Sequence, residues 1–248
     1  MSTGWDNSSS GAAQTASLEV HLLGLVDFDA ALALQEYLVF ETAGRTDAQG
    51  TLLLCEHPPL ITMGREASRT HLQTDAAELR RLEIDVRWLS RGGGAAVHAP
   101  GQLAIYPILP LDRLQLGLMD FRQRLEDAAA ATCREVRVPA KRSDAQPGLW
   151  SRGGHVAMFG AAVKSWVSYH GMYLNVAPRP QYLRMVQTNA TGDQATSLQA
   201  QRLRRIPMHG VRESLIRHIS NRFGYERVHV YTGHPALRRE TRRIIVHA

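Results

Sequence analysis

The sequence predicts an α+β protein, and three observations lead there. Short apolar runs that read as strands cluster between residues 51 and 176, and helical periodicity breaks into them irregularly, without a repeating βαβ rhythm. The composition, 44% hydrophobic and 21% charged over 248 residues, is that of a globular chain with enough length to bury a core.

The elements follow in order. Leu18–Leu25 reads as a strand, and Asp27 or Asp29 is placed to cap a helix over residues 30–43. Thr51–Cys55 is a short apolar run that ends at Glu56-His57-Pro58-Pro59, a strand entering a Pro-stiffened turn. Thr74 can cap a helix reaching Leu82, which leads into a strand over Asp85–Leu89. Gly92–Gly94 interrupt the pattern before Gln102–Leu109 resumes as a strand. Leu118, Phe121, Leu125, Ala128 and Ala129 recur at helical spacing and predict an amphipathic helix over 118–134. Val156–Val163 and Ser165–Val176 read as strands, and Val211, Leu215, Ile216 and Ile219 mark a last helix over 210–222. Residues 1–17 read as a disordered polar arm and 18–248 as one domain; a second reading sets 200–248 apart as a small C-terminal subdomain.

Composition excludes several classes. No run approaches the roughly 20 apolar residues that span a bilayer, and the first residues lack the basic and apolar regions of a secretory signal. Cys55 and Cys133 sit in no metal or redox spacing, which fits a reducing, cytoplasmic setting. The net charge is +6, and since lysine occurs only at 141 and 164, 27 of the 29 cations are arginines. Such a surface suits an acidic partner, and no nucleic-acid-binding signature accompanies it. The tract Arg202–Arg205 reads as a solvated face, with docking of an acidic partner as the sharper alternative.

Four segments stand out chemically: Glu56–Arg65, Arg91–Gln102, Gly153–Gly160 with Tyr169-His170-Gly171, and Gln187–Ala190 ahead of Thr196-Ser197-Leu198. Three consecutive glycines at 92–94 let backbone N–H groups approach a phosphate or a polarised carbonyl. The run lacks the Lys-Ser/Thr ending of a P-loop and does not fit a dinucleotide fingerprint. The histidines at 57, 98 and 170 adjoin Gly or Pro, and ring nitrogens bonding loop backbone is their plainer reading. No pair among His57, His98, His155 and His170 has the short regular spacing of metal ligands, so neither a metal nor a cofactor is expected.

These segments resemble the octanoyl-(acyl carrier protein):protein N-octanoyltransferases, members of the biotin/lipoate protein ligase superfamily. The shared patterns are EHPP-x-x-T-x-G-R at Glu56–Arg65, RGG-x-x-x-x-H-x-PGQ from Arg91, G-x-x-A-x-x-G at Gly154–Gly160 and HG-x-x-LN-V at His170–Val176. The resemblance implies a mixed β-sheet flanked by helices and a tunnel for a medium-chain acyl group. It also implies acyl carrier protein as donor and a lysine of a lipoyl domain as acceptor, both acidic proteins. On this basis Arg91, Gly92, Gly93, Gly94, Ala95, Ala96, Val97 and His98 line the substrate site with Met158, Phe159 and Gly160, and with Gly171, Met172 and Tyr173.

The chain departs from that family at its reacting groups. Family members carry the acyl group on a cysteine in a Pro-Cys-Gly context, beside a lysine that holds the thiolate. Counting back from Thr196-Ser197-Leu198 puts Thr188 at the cysteine position; counting forward from His170-Gly171 puts Asn189 there. The lysine position holds His155. His155, Thr188 and Asn189 are therefore the candidate catalytic positions, with His155 a potential general base for a hydroxyl. Cys55 and Cys133 read as buried structural thiols. Three functions remain: an octanoyltransferase-like enzyme, an inert acyl- or carrier-binding relative, and an acyltransferase turned to a different amine.

Overall fold

The structure, a computed structural model, describes residues 16–143, 146–188, 194–202 and 204–237. Residues 1–15 of the expected N-terminal arm and Asn189 lie outside these residues, and Ser17, expected in the arm, opens the first strand. Eleven strands occur among them: β1 (Ser17–Leu25), β2 (Gly50–Glu56), β3 (Leu60–Met63), β4 (Asp85–Trp88), β5 (Ala95–His98), β6 (Gln102–Ile108), β7 (Lys141–Arg142), β8 (Gly148–Ser151), β9 (Gly154–Lys164), β10 (Val167–Asn175) and β11 (Arg227–Thr232). The helices are α1 (Phe28–Ala43), α2 (Ala76–Arg81), α3 (Leu118–Glu135), α4 (Pro180–Leu183) and α5 (Met208–Phe223).

Eight strands form the main sheet in the order β11-β1-β2-β6-β10-β9-β8-β7, and β4-β3-β5 form a small one. The main sheet is mixed: β1 runs parallel to β11 and β2, and the other pairs are antiparallel. The paired apolar faces explain the layers. On one face Phe121, Leu125, Ala128 and Ala129 of α3 and Val211, Leu215 and Ile219 of α5 bury against Leu52, Leu54, Leu103 and Ile105. On the other, Leu34 and Val39 of α1 meet Leu53, Cys55, Tyr106 and Tyr173. The small sheet closes over Leu79, Leu183 and Met185. The expected α+β class, a mixed sheet flanked by helices, is what forms.

Several boundaries differ from expectation for local reasons. Asp27, not Asp29, caps α1 by accepting from the Ala30 N–H at 3.0 Å. Asp75, one residue past Thr74, caps α2 through the Glu78 N–H at 2.8 Å. Ser165 and Trp166, expected inside a strand, form the two-residue turn between β9 and β10, both at positive φ (51° and 59°). Past residue 200, α5 packs on α3, and β11 lies at the edge of the main sheet beside β1. Five strands escaped the sequence: β3, β5, β7, β8 and β11. β3 follows directly on the Pro pair, and β5 opens on two alanines, poor strand formers in isolation. No helix of the described residues is long and apolar enough to cross a membrane.

Candidate active site

The hairpin of β8 and β9 positions His155. Pairs run Gly148 with Met158 and Leu149 with Ala157, then slip so that Trp150 faces His155, leaving Val156 as an extra residue. That bulge puts His155 and Met158 on one face although they are three apart, which unbroken alternation forbids. The rings of Trp150 and His155 stack at 4.3 Å and 7°, fixing the imidazole plane. Gly148, at φ +128°, leaves room for the ring edge: a side chain there would run into His155 Nε2.

Thr188 arrives from the other direction. Its segment lies along residues 71–73, through a bridge between Leu72 and Val186 and a Gln187 N–H that donates to the His71 carbonyl at 2.8 Å. His155 Nδ1 and Thr188 Oγ1 share a buried hydrogen bond of 3.0 Å. In the neutral tautomer that carries its proton on Nε2, the hydroxyl donates and Nδ1 is poised to take the hydroxyl proton.

This pair lies in the wall of a cavity of about 220 Å³. Of the residues expected from sequence, Arg91, Gly93, Gly94, Ala95, Ala96, Met158 and Phe159 line it with them. The others stand behind the wall. His98 bridges Thr62 Oγ1 and Gln102 Oε1, each at 2.9 Å, so its nitrogens meet side chains and not loop backbone. Val97 packs in the small-sheet core, and Met172 beneath α3 and α5. Gly160 gives space to Arg91: a Cβ there would lie 2.8 Å from Nη1. Gly171 lets β10 close on β6, and Tyr173 is fully buried with the Arg91 guanidinium 5.6 Å from its ring centre. Gly92 donates its N–H to the Ala161 carbonyl at 2.9 Å.

Arg91 is 2% exposed and pairs with no carboxylate among the described residues. Its charge is met by oxygens: Nη2 donates to the Thr62 carbonyl at 3.0 Å and hydroxyl at 2.8 Å, and Nη1 to the Gly92 carbonyl at 2.9 Å. Burial, reinforced by this guanidinium, holds His170 neutral with its pKa lowered to about 3. Burial does the same to His98, where His57 adds to the effect. His57 bonds the Val26 carbonyl and the Tyr106 hydroxyl, both at 2.8 Å, and is lowered to about 4 by burial.

Four lining residues escaped sequence reasoning: Glu66, His71, Gln146 and Pro147. The Ser68 N–H donates to His71 Nδ1 at 3.3 Å, so the neutral ring carries its proton on Nε2. Gln146 and Pro147 are held from below by Arg122, which donates to the Gln146 carbonyl at 3.0 Å, and by Glu126, which accepts from the Gly148 N–H at 2.7 Å. No sequence signal marks these four, because loops far apart in the chain bring them together. Among the described residues no cluster of three His, Cys, Asp or Glu side chains could hold a metal ion.

Comparison with known proteins agrees with this geometry. Residues 27–220 match the model of the lipoyl protein ligase A/B catalytic domain. An octanoyltransferase of Geobacter metallireducens is 37% identical over 196 residues, covering 78% of this chain and 87% of that protein. One of Alkaliphilus metalliredigens is 31% identical over 211 residues, 84% of this chain and 96% of that one. In structure, a lipoate-protein ligase A bound with ATP superposes with a TM-score of 0.71 at 14% identity, over 89% of this chain and 90% of that one. A bipartite lipoate protein ligase of Thermoplasma acidophilum does so at 0.69 and 12%, over 89% of each chain. With the fold, the ordered motifs and the matched residues in agreement, this chain belongs to the octanoyltransferase family, within the group that shares the lipoyl protein ligase A/B catalytic domain.

Proposed function

We propose that the protein transfers a medium-chain acyl group from an acyl carrier protein thioester to a lysine of a lipoyl domain, and that it does so without a thioester on itself. The observation that carries this reading is the 3.0 Å hydrogen bond between His155 Nδ1 and Thr188 Oγ1 inside the cavity. It joins His155, at the family's lysine position by motif, to Thr188, one of the two candidates for the cysteine position and the one taken here as the nucleophile.

The chemistry balances with these groups alone. Thr188 Oγ1 attacks the thioester carbonyl carbon, its proton passes to His155 Nδ1, and the carbon–sulfur bond breaks. The imidazolium returns that proton to the departing thiolate, which leaves an oxyester on Thr188. The acceptor amine, deprotonated, then forms the carbon–nitrogen bond as the carbon–oxygen bond breaks. Its surplus proton goes through His155 back to the Thr188 oxygen, and the net products are an amide and a thiol. A hydroxyl is a poorer nucleophile than a thiolate at neutral pH, so holding both substrates in one site supplies much of the rate. The net charge of +6 favours encounter with two acidic proteins.

Incubation with octanoyl-acyl carrier protein, with and without an apo lipoyl domain, followed by intact mass, tests the reading. The expected result is one octanoyl unit gained by the lipoyl domain. His155→Ala should lower that rate about 10²–10⁴-fold, the usual worth of a general base. Any adduct on the enzyme, once the protein is unfolded and its site no longer catalyses attack, should resist neutral hydroxylamine, as an oxyester does. An inert binder would leave the lipoyl domain unmodified.

A further inference from the structure

We propose that Glu66 is the receptor for the charged acceptor amine, a role that rests on the acyl-transfer reading above. Of the side chains that line the cavity among the described residues, Glu66 is the single carboxylate. It is exposed at the mouth, yet it is not loose. The Gly93 N–H donates to Glu66 Oε1 at 3.1 Å, and the Glu66 N–H donates to the Gly93 carbonyl at 3.2 Å. One carboxylate oxygen is thus pinned to the glycine loop, which leaves Oε2 available to a ligand. No cation pairs with it among the described residues, in a chain where 29 basic side chains outnumber 23 acidic ones and Arg65 is its neighbour.

Its place beside the reacting pair suits an amine. Gly94 packs on the Thr188 carbonyl so closely that a Cβ there would come within 2.7 Å. Gly93 holds Glu66 and Gly94 packs on the Thr188 backbone carbonyl, so the two residues flank one dipeptide of the cavity wall. A lysine, with a pKa near 10.4 in water, arrives as a strongly hydrated ammonium and meets a protein of net positive charge. A fixed carboxylate at the entrance replaces part of that hydration by a charge-assisted hydrogen bond. From there the side chain reaches the acyl carbon once a proton is lost. A neutral nucleophile, water included, gains nothing from the contact, so Glu66 favours aminolysis over hydrolysis.

The test compares two acceptors in one variant. Octanoyl-acyl carrier protein is offered to an apo lipoyl domain, whose lysine is charged, and to hydroxylamine, uncharged near neutral pH, with the uncatalysed reaction subtracted. In Glu66→Gln, which keeps an oxygen for the Gly93 N–H, the ratio of lipoyl-domain to hydroxylamine rates should fall about tenfold, through a raised KM for the lipoyl domain. Glu66→Asp should recover part of the ratio. A ratio within twofold of the natural protein's, or equal loss in both reactions, overturns the assignment while acyl transfer itself stands. Failure of the natural protein to acylate either acceptor overturns the acyl-transfer reading, and this role with it.

Discussion

Cys55 and Cys133 are both fully shielded, and burial pushes their thiols up, Cys133 to about 12 and Cys55 further. Thiols held protonated are poor nucleophiles, so neither substitutes for the cysteine that related enzymes carry. Cys55→Ser and Cys133→Ser should therefore keep octanoyl transfer within a few-fold of the natural protein. A hydroxylamine-labile octanoyl adduct on either would contradict this. The complementary change, Thr188→Cys with His155→Lys, places a thiol and a cation where a hydroxyl and an imidazole now share a hydrogen bond. It should raise the rate above the natural one and leave a thioester visible by mass. The His155–Thr188 pairing was legible only through ordered motifs: 33 residues separate the two, and no local periodicity links them.

At the scale of elements, α3 supports the cavity from outside the sheet. Arg122 and Glu126 are one helical turn apart, joined at 2.9 Å, and together they hold the backbone of 146–148 against His155. Glu126→Ala takes the carboxylate from Arg122, which keeps the Gln146 carbonyl, and leaves the buried Gly148 N–H without its acceptor, a loss of about 3 kcal/mol in stability. Glu126→Gln, which can still accept from Gly148, should cost less. Chemical denaturation measures both, and a loss below about 1 kcal/mol for the alanine variant would show that this pair does not support the wall. Helices α3 and α5 were legible because each is long enough for its apolar pattern to declare itself, and α1 through its capping aspartate. β3 and β5, four residues each, were not. Their register is set by the small sheet, a contact between segments more than thirty residues apart, and the cavity wall at 93–96 depends on it.

For the whole molecule, the buried histidines set the response to acid. Burial lowers the pKa of His57 to about 4 and of His170 to about 3, and drives His98 down as well. The unfolded chain protonates all three near pH 6.5, while the folded one keeps them neutral. Stability is then full above pH 6.5 and falls as pH drops through the window from about 6.5 to 4. Each such group contributes about 1.4 kcal/mol per pH unit inside that window. Glu126, whose carboxyl burial raises, works in the opposite sense and offsets a part. Denaturant unfolding at pH 7 and pH 5 should show a midpoint clearly lower at pH 5; coincident curves would mean that these rings are protonated in the fold.

The extra residue in β9 has an evolutionary consequence. His155 and Met158 share a face because Val156 offsets the pleat by one. A lineage could exchange the side chain at 155 freely, imidazole for ammonium or the reverse, and keep it aimed at the same partner. Losing the residue at 156 would leave 155 and 158 two apart, and unbroken alternation puts such residues on one face as well. Drawing Val156 into the pairing opposite Trp150 is what would turn position 155 to the other side of the sheet. Chemistry at this position is thus open to gradual change, while its direction rests on which residue stands opposite Trp150.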